Sequence, residues 1–155
     1  MTIVENPTIT VTGGIDTHSE FHVAAAIDTN GGVLGVETFD TTTHGYRELV
    51  AWLAGFGAIR LVGVEGTGSY GTGVCRHLVG KGIAVVEVDR PNRHARHRAG
   101  KTDSVDAIAA ARAALTGSAT GVPKSRTSKI EAIRVIMVAR RSAGRWRRSA
   151  SRRTR

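Results

Sequence analysis

Three apolar runs separated by short turns open the ordered part of this chain, and they restrict its fold more than anything that follows. Val11 to Asp16, Phe21 to Asp28 and Val33 to Phe39 are strand-length and rich in β-branched and small apolar side chains. Thr29-Asn30-Gly31-Gly32 joins the second run to the third, and Asn-Gly takes the positive φ values that tight hairpin turns require. Strands joined this closely pair antiparallel, because a parallel pair needs a crossover of a dozen or more residues. The sheet is therefore expected to begin as a three-stranded antiparallel meander. Met1 to Thr10 lacks a helical period and reads as a flexible leader.

After Phe39 the period changes. Tyr46, Leu49, Val50 and Leu53 recur at helical spacing, with Gly55 placed to stop that helix. Ile59 to Val64 is a new apolar run closing at Glu65. The spacing then predicts a helix from about Tyr70 to Lys81 closed by Gly82, and a strand from Ile83 to Val88. This alternation points to strands added in parallel, so the expected sheet is mixed. Thr102 or Asp103 opens a further helix to about Leu115, and Thr116 to Lys124 is a break containing Gly, Ser and Pro. Ser128-Lys129-Ile130-Glu131 has capping-box spacing, and Ile130, Ile133 and Met137 give the next helix an apolar stripe. The expected organisation is a leader at 1–10, one α/β domain at 11–122, the start of a helical linker at 123–143 and a basic, disordered tail at 144–155.

The net charge of +9 is unevenly spread over the 155 residues. Residues 1–100 hold 8 basic and 10 acidic side chains, whereas residues 101–155 hold 14 basic and 3 acidic ones. Eight of those bases are arginines between Arg140 and Arg155, so the tail carries most of the excess and favours a polyanionic partner. The single cysteine, Cys75, lies among apolar neighbours and is expected to be a buried small hydrophobe. No segment has the length of apolar sequence a membrane span needs, and the amino terminus lacks the basic and apolar regions of a signal peptide. A cytoplasmic protein is expected.

Four carboxylates occupy positions from which a metal site can be assembled. Asp16 and Glu65 close apolar runs and should emerge at a sheet edge, while Asp103 and Asp106 are three apart and share one face of a helix. A hard cation such as Mg²⁺ (or Mn²⁺) takes oxygen ligands, and clustered carboxylates without cysteine supply them. For any one of these acids a solvated strand end or a helix N-cap is the commoner role, Asp103 above all. His18, two residues past Asp16, is placed to share its side of the strand, with a plain surface role an equal alternative. Arg90, Arg93, Arg96, Arg98 and Lys101, interleaved with His94 and His97, lead into the Asp103 helix and are candidate phosphate contacts that carry no sequence information. The two histidines lack the second ligand pair of a zinc site.

Local words sharpen this. Gly14-Ile15-Asp16-Thr17-His18, Val64-Glu65-Gly66-Thr67-Gly68-Ser69-Tyr70 and Lys101-Thr102-Asp103-Ser104-Val105-Asp106-Ala107, in this order, resemble the DEDD transposases of the insertion-sequence family IS 110 over approximately Gly13 to Ala143. The resemblance implies a ribonuclease H-like (RuvC-like) fold, a mixed five-stranded sheet flanked by helices. It also implies that Asp16, Glu65, Asp103 and Asp106 are the acidic tetrad that binds Mg²⁺ (or Mn²⁺) for DNA strand cleavage and transfer. The partners implied are DNA, a guide RNA encoded by the element and further copies of the same protein. Family members also carry a coiled-coil segment and a domain with a nucleophilic serine. Neither is legible here, so a truncated or frameshifted copy is expected.

Two other readings compete for the same residues. Gly66-Thr67-Gly68-Ser69-Tyr70-Gly71 satisfies the G-x-G-x-x-G pattern, with Glu87 and Asp89 about twenty residues on, as in a dinucleotide-binding domain. That motif normally follows the first strand of a doubly wound sheet, whereas three strands precede it here. The sugar-kinase and actin-like superfold also opens with Asp on a first strand before a hairpin, but needs two such domains. A non-catalytic nucleic-acid-binding fragment remains the alternative that uses only the basic residues.

Overall fold

The three opening runs form β1 (Thr10–Thr17), β2 (Phe21–Ile27) and β3 (Val33–Asp40). They are followed by α1 (Thr43–Ala54), β4 (Ala58–Glu65), α2 (Thr72–Gly80), β5 (Val85–Val88) and α3 (Asp103–Thr116). This computed structural model describes residues 9–89, 102–119 and 121–123. All of them belong to the first of two units into which the chain divides, 1–124 and 125–155. Expectations for most of the leader, the basic connector, the linker helix and the tail therefore lie outside the described residues.

Strand order is β3-β2-β1-β4-β5. β1 pairs antiparallel with β2, and β2 with β3, while β1 to β4 and β4 to β5 are parallel. This is the mixed five-stranded sheet of the ribonuclease H-like fold. The antiparallel half follows from the short turns and the parallel half from the crossover through α1 and α2.

The pleat of β1 sorts its side chains into two environments. Val11 and Ile15 join Ala24, Ala26, Val62 and Val64 beneath Leu49 and Leu53 of α1 and Val74 and Leu78 of α2, all buried in one cluster. Thr12, Gly14 and Asp16 alternate onto the opposite face, where Val23 and Ala25 of β2 pack with Ala107 of α3. Helix α3 buries Ala107, Ala110, Ala111 and Ala114, a stripe at helical spacing made wholly of alanine.

That stripe meets glycine. A Cβ on Gly14 would overlap the Ala107 carbonyl oxygen and the Ala111 amide nitrogen, and one on Gly63 would lie 2.6 Å from the Ala110 carbonyl oxygen. At these two glycines the backbone of α3 rests directly on β1 and β4, with no side chain between them.

Several turns differ from expectation in instructive ways. Between β2 and β3 the loop runs from Asp28 to Gly32, and only Gly31 takes a positive φ, at 83°. Asn30 does not, because Asp28 Oδ1 accepts the amides of both Asn30 (2.8 Å) and Gly32 (2.9 Å) and organises the loop as an Asx turn. Arg112 of α3 then donates Nε and an η nitrogen to the Gly31 carbonyl, each at 3.2 Å, tying this hairpin to the helix.

Helix α2 starts at Thr72 rather than Tyr70, since Gly66 to Gly71 forms its own turn, in which Thr72 Oγ1 donates to the carbonyls of Thr67 and Ser69. Its exit is as expected, with Gly82 at φ 75°. Strand β5 begins at Val85, not Ile83, because the Ile83 amide still bonds back to Leu78. Gly55 caps α1 with an ordinary φ of −64°. β1 begins at Thr10, inside the expected leader. Gly121, expected within a break, forms an antiparallel bridge with Glu87 beside β5. Cys75 is buried, as its surroundings predict, and burial raises its thiol pKa. No helix among the described residues is long and apolar enough to cross a membrane.

This packing can be tested at two positions. Gly14→Ala inserts a methyl against helix backbone that cannot rotate away, so it should destabilise the domain by about 1–3 kcal/mol, read as a lower urea midpoint. His22 is wholly buried opposite Thr17 on the α1 side of the sheet, and burial lowers its pKa from 6.5 to about 4. The unfolded chain protonates this ring near 6.5 while the folded one resists to about 4, so its share of stability is intact above 6.5 and lost as pH falls through that window. Stability in metal-free buffer should drop by roughly 1 kcal/mol between pH ~7.5 and ~5.5 on this account. His22→Asn, which keeps an acceptor near the Nδ1 position without titrating, should flatten the slope; an unchanged slope would assign the titration to other groups.

Candidate metal centre

Asp16 and Glu65 stand at the carboxyl end of the central parallel pair, and of the four acids only Asp16 and Asp103 share a group of three ligand atoms within 4.8 Å among the described residues, completed by His18. Ile15 lies level with Val64 in the β1–β4 register, so Asp16 and Glu65 follow side by side, each at 2–3% exposure. Since Ile15 and Val64 face α1 and α2, the pleat turns Asp16 and Glu65 toward α3. Thr17 points the other way and donates its Oγ1 to the Glu65 carbonyl at 2.9 Å, locking the two strand ends together.

The first turn of α3 brings the other two carboxylates. Thr102 is the N-cap, so Asp103 is the first helical residue and not the cap that its sequence position equally allows. Asp106 is buried beside Ala107, which itself rests on Gly14 two residues before Asp16. Asp103, one turn earlier, stays half exposed and reaches the strand end through a histidine.

His18 is that link. Its Nε2 lies 3.0 Å from Asp16 Oδ2 and 3.6 Å from Asp103 Oδ2. One ligand atom from each of Asp16, His18 and Asp103 lies within 4.8 Å of the others. The imidazole stacks on Phe21 with ring centroids 4.7 Å apart, and the His18 amide is held by the Phe21 carbonyl at 3.1 Å and by His22 Nδ1 at 3.4 Å. The sequence leaves His18 open to two interpretations, and the signal in favour of the site is its i+2 spacing from Asp16.

Gly66, immediately after Glu65, takes φ 62°, a conformation open to glycine, and Gly71 folds back so that a Cβ there would lie 2.8 Å from the Glu65 carbonyl oxygen. These glycines serve the sharp turn after the fourth strand, within a sheet that is not doubly wound. Of the predicted residues, the fold brings Asp16, Asp103 and His18 into one cluster, sets Glu65 beside Asp16 and directs Asp106 onto the same sheet face. Arg93, Arg96, Arg98 and Lys101 lie outside the described residues.

The domain thus carries acids at the ends of β1 and β4 and in the opening turn of α3, on one face of a mixed five-stranded sheet. The chain belongs to the DEDD transposase family of IS 110, whose pattern matches residues 13–155 and so extends past Ala143, where the resemblance read from the sequence alone stops. Among solved structures, the large terminase nuclease from thermophilic phage G20c, with bound zinc, is similar at 16% identity and a TM-score of 0.45, over 73% of this chain and 82% of that one. No curated protein matches the chain.

Proposed function

We propose that this domain binds a divalent cation, Mg²⁺ or Mn²⁺, through Asp16, Glu65, Asp103 and Asp106 and uses it to cleave and transfer DNA strands in transposition. The observation that carries this is the side-by-side placement of Asp16 and Glu65 on adjacent parallel strands, facing the helix turn that bears the other two acids. Buried carboxylates at such spacing repel one another, and a cation offsets that repulsion. The donor set fits a hard dication with room for water, since Asp103 keeps half its surface open on one side of the cluster.

A bound metal would polarise a phosphate oxygen and lower the pKa of the attacking hydroxyl. The protein's share is to hold the carboxylates in place. Asp16 and Glu65 are fixed by the sheet register, Asp106 by the seat of α3 on Gly14 and Gly63, and Asp103 by its place in the same rigid turn. The basic residues Arg93, Arg96, Arg98 and Lys101 precede that turn in sequence and supply phosphate contacts that the acidic centre alone would repel. A guide RNA encoded by the element and further copies of the chain complete the reading, consistent with the family.

Millimolar Mg²⁺ or Mn²⁺ should raise the melting temperature of the native chain by mass action, and Asp16→Asn or Glu65→Gln should abolish that rise. A native chain whose melting point ignores both ions would remove the metal from the proposal. Neutralising Arg93, Arg96 and Lys101 together should weaken DNA or RNA binding and reduce the steepness of its salt dependence by about one log–log unit for each phosphate that is no longer neutralised. Titrations that superimpose on the native ones across a salt series would relegate these residues to plain surface.

A further inference from the structure

We infer that His18 is a direct nitrogen ligand of this centre and that it tilts metal preference from Mg²⁺ toward Mn²⁺ and, more strongly, Co²⁺. The inference rests on the proposal that the acids hold a divalent cation, and it adds a ligand of different chemistry to the carboxylates. Donors at about 2.1 Å from a six-coordinate ion stand about 3.0 Å apart when adjacent and about 4.2 Å apart when opposite. His18 Nε2 is 3.0 Å from Asp16 Oδ2 and 3.6 Å from Asp103 Oδ2, within the range that donors to one ion span.

The ring is held in that place by groups that have no part in the cluster. Phe21 stacks on its face, and the amide of His18 is fixed by the Phe21 carbonyl and by His22 Nδ1. Its side chain is one-third exposed, so Nε2 stands at the open rim between a buried carboxylate and an exposed one. Ligation uses the neutral imidazole with its proton on Nδ1, leaving the Nε2 lone pair for the ion. Mg²⁺ favours oxygen and keeps its water, whereas affinity for mixed nitrogen and oxygen sites rises from Mn²⁺ to Co²⁺. An all-carboxylate centre would show no such gain from one side chain.

The test is pulsed electron paramagnetic resonance on the full chain loaded with Mn²⁺, read for modulation by a directly bound ¹⁴N, with Mg²⁺ and Co²⁺ competition run alongside. The native chain should show the ¹⁴N signal. His18→Gln should still bind Mn²⁺ without it, and the Mg²⁺ concentration that displaces half the Mn²⁺ should fall roughly tenfold, with Co²⁺ losing more of its advantage. Bound Mn²⁺ with no ¹⁴N coupling in the native chain, or a coupling that survives His18→Gln, overturns the role of His18 and leaves the carboxylate centre standing. Absence of Mn²⁺ binding, or binding that survives Asp16→Asn, overturns both.

Discussion

The close approach of α3 to the sheet is the constraint on which the candidate centre depends. Helices normally pack on sheets through a layer of side chains, which leaves their backbones well clear of the strands. Here alanine meets glycine, Ala107, Ala110 and Ala111 over Gly14 and Gly63, so helix backbone and strand backbone touch. Burying so little apolar surface contributes less hydrophobic stabilisation than a leucine-rich face would. The first turn of the helix is nevertheless placed with little freedom to slide, because a contact between backbones offers no rotamers to adjust. Asp103 and Asp106 sit in that turn, and a shift of one ångström would change their distances to Asp16 by a large fraction of a metal–oxygen bond.

The two faces of the sheet divide the labour. Leucine, isoleucine and valine from β1, β4, α1 and α2 fill the face opposite the acids and supply most of the apolar burial. The α3 face holds a smaller apolar cluster around Val23, Ala25 and Ala107, and it carries the carboxylates. The division is written into β1 as an alternation of Val11, Gly13, Ile15 and Thr17 with Thr12, Gly14 and Asp16. One strand therefore anchors the core on one side and presents a charge on the other. Thr17 and His22 add polar groups to the core side just at its edge, where they hold the strand ends and the turn bearing His18.

Much of this is legible from residues, and the failures have physical causes. The meander, the mixed sheet and the positions of Asp16 and Glu65 at strand ends all follow from period-two runs and short connections, which are local signals. Asp103 illustrates the limit of such signals. As a helix-opening aspartate its commonest role is a cap, and only the structure shows Thr102 in that position with Asp103 turned toward His18. The Asn30-Gly31 turn misleads in a similar way, since Asp28 outside the pair decides its geometry through two hydrogen bonds. Gly14 and Gly63 look in the sequence like mere members of apolar runs. Their role is tertiary, because nothing within β1 or β4 says that a helix from forty or more residues later will press on them.

His18 joins these threads. An imidazole at a strand end beside a buried carboxylate has two physical readings, a hydrogen-bond partner of Asp16 without metal, and a ligand that shares the metal with it. The first makes His18 a competitor of the cation, so its removal would tighten metal binding. The second makes it a contributor, so its removal would loosen binding and do so unequally among ions. The stack on Phe21 and the paired acceptors of the His18 amide fix the turn that carries the ring. The contact of His18 Nε2 with Asp16 Oδ2 at 3.0 Å is a hydrogen bond and is itself directional, and a coordinate bond likewise requires the lone pair to point at the ion, so holding the ring serves either role. The two roles separate instead by the sign of the change in metal affinity when the ring is removed, and by whether that change differs among ions.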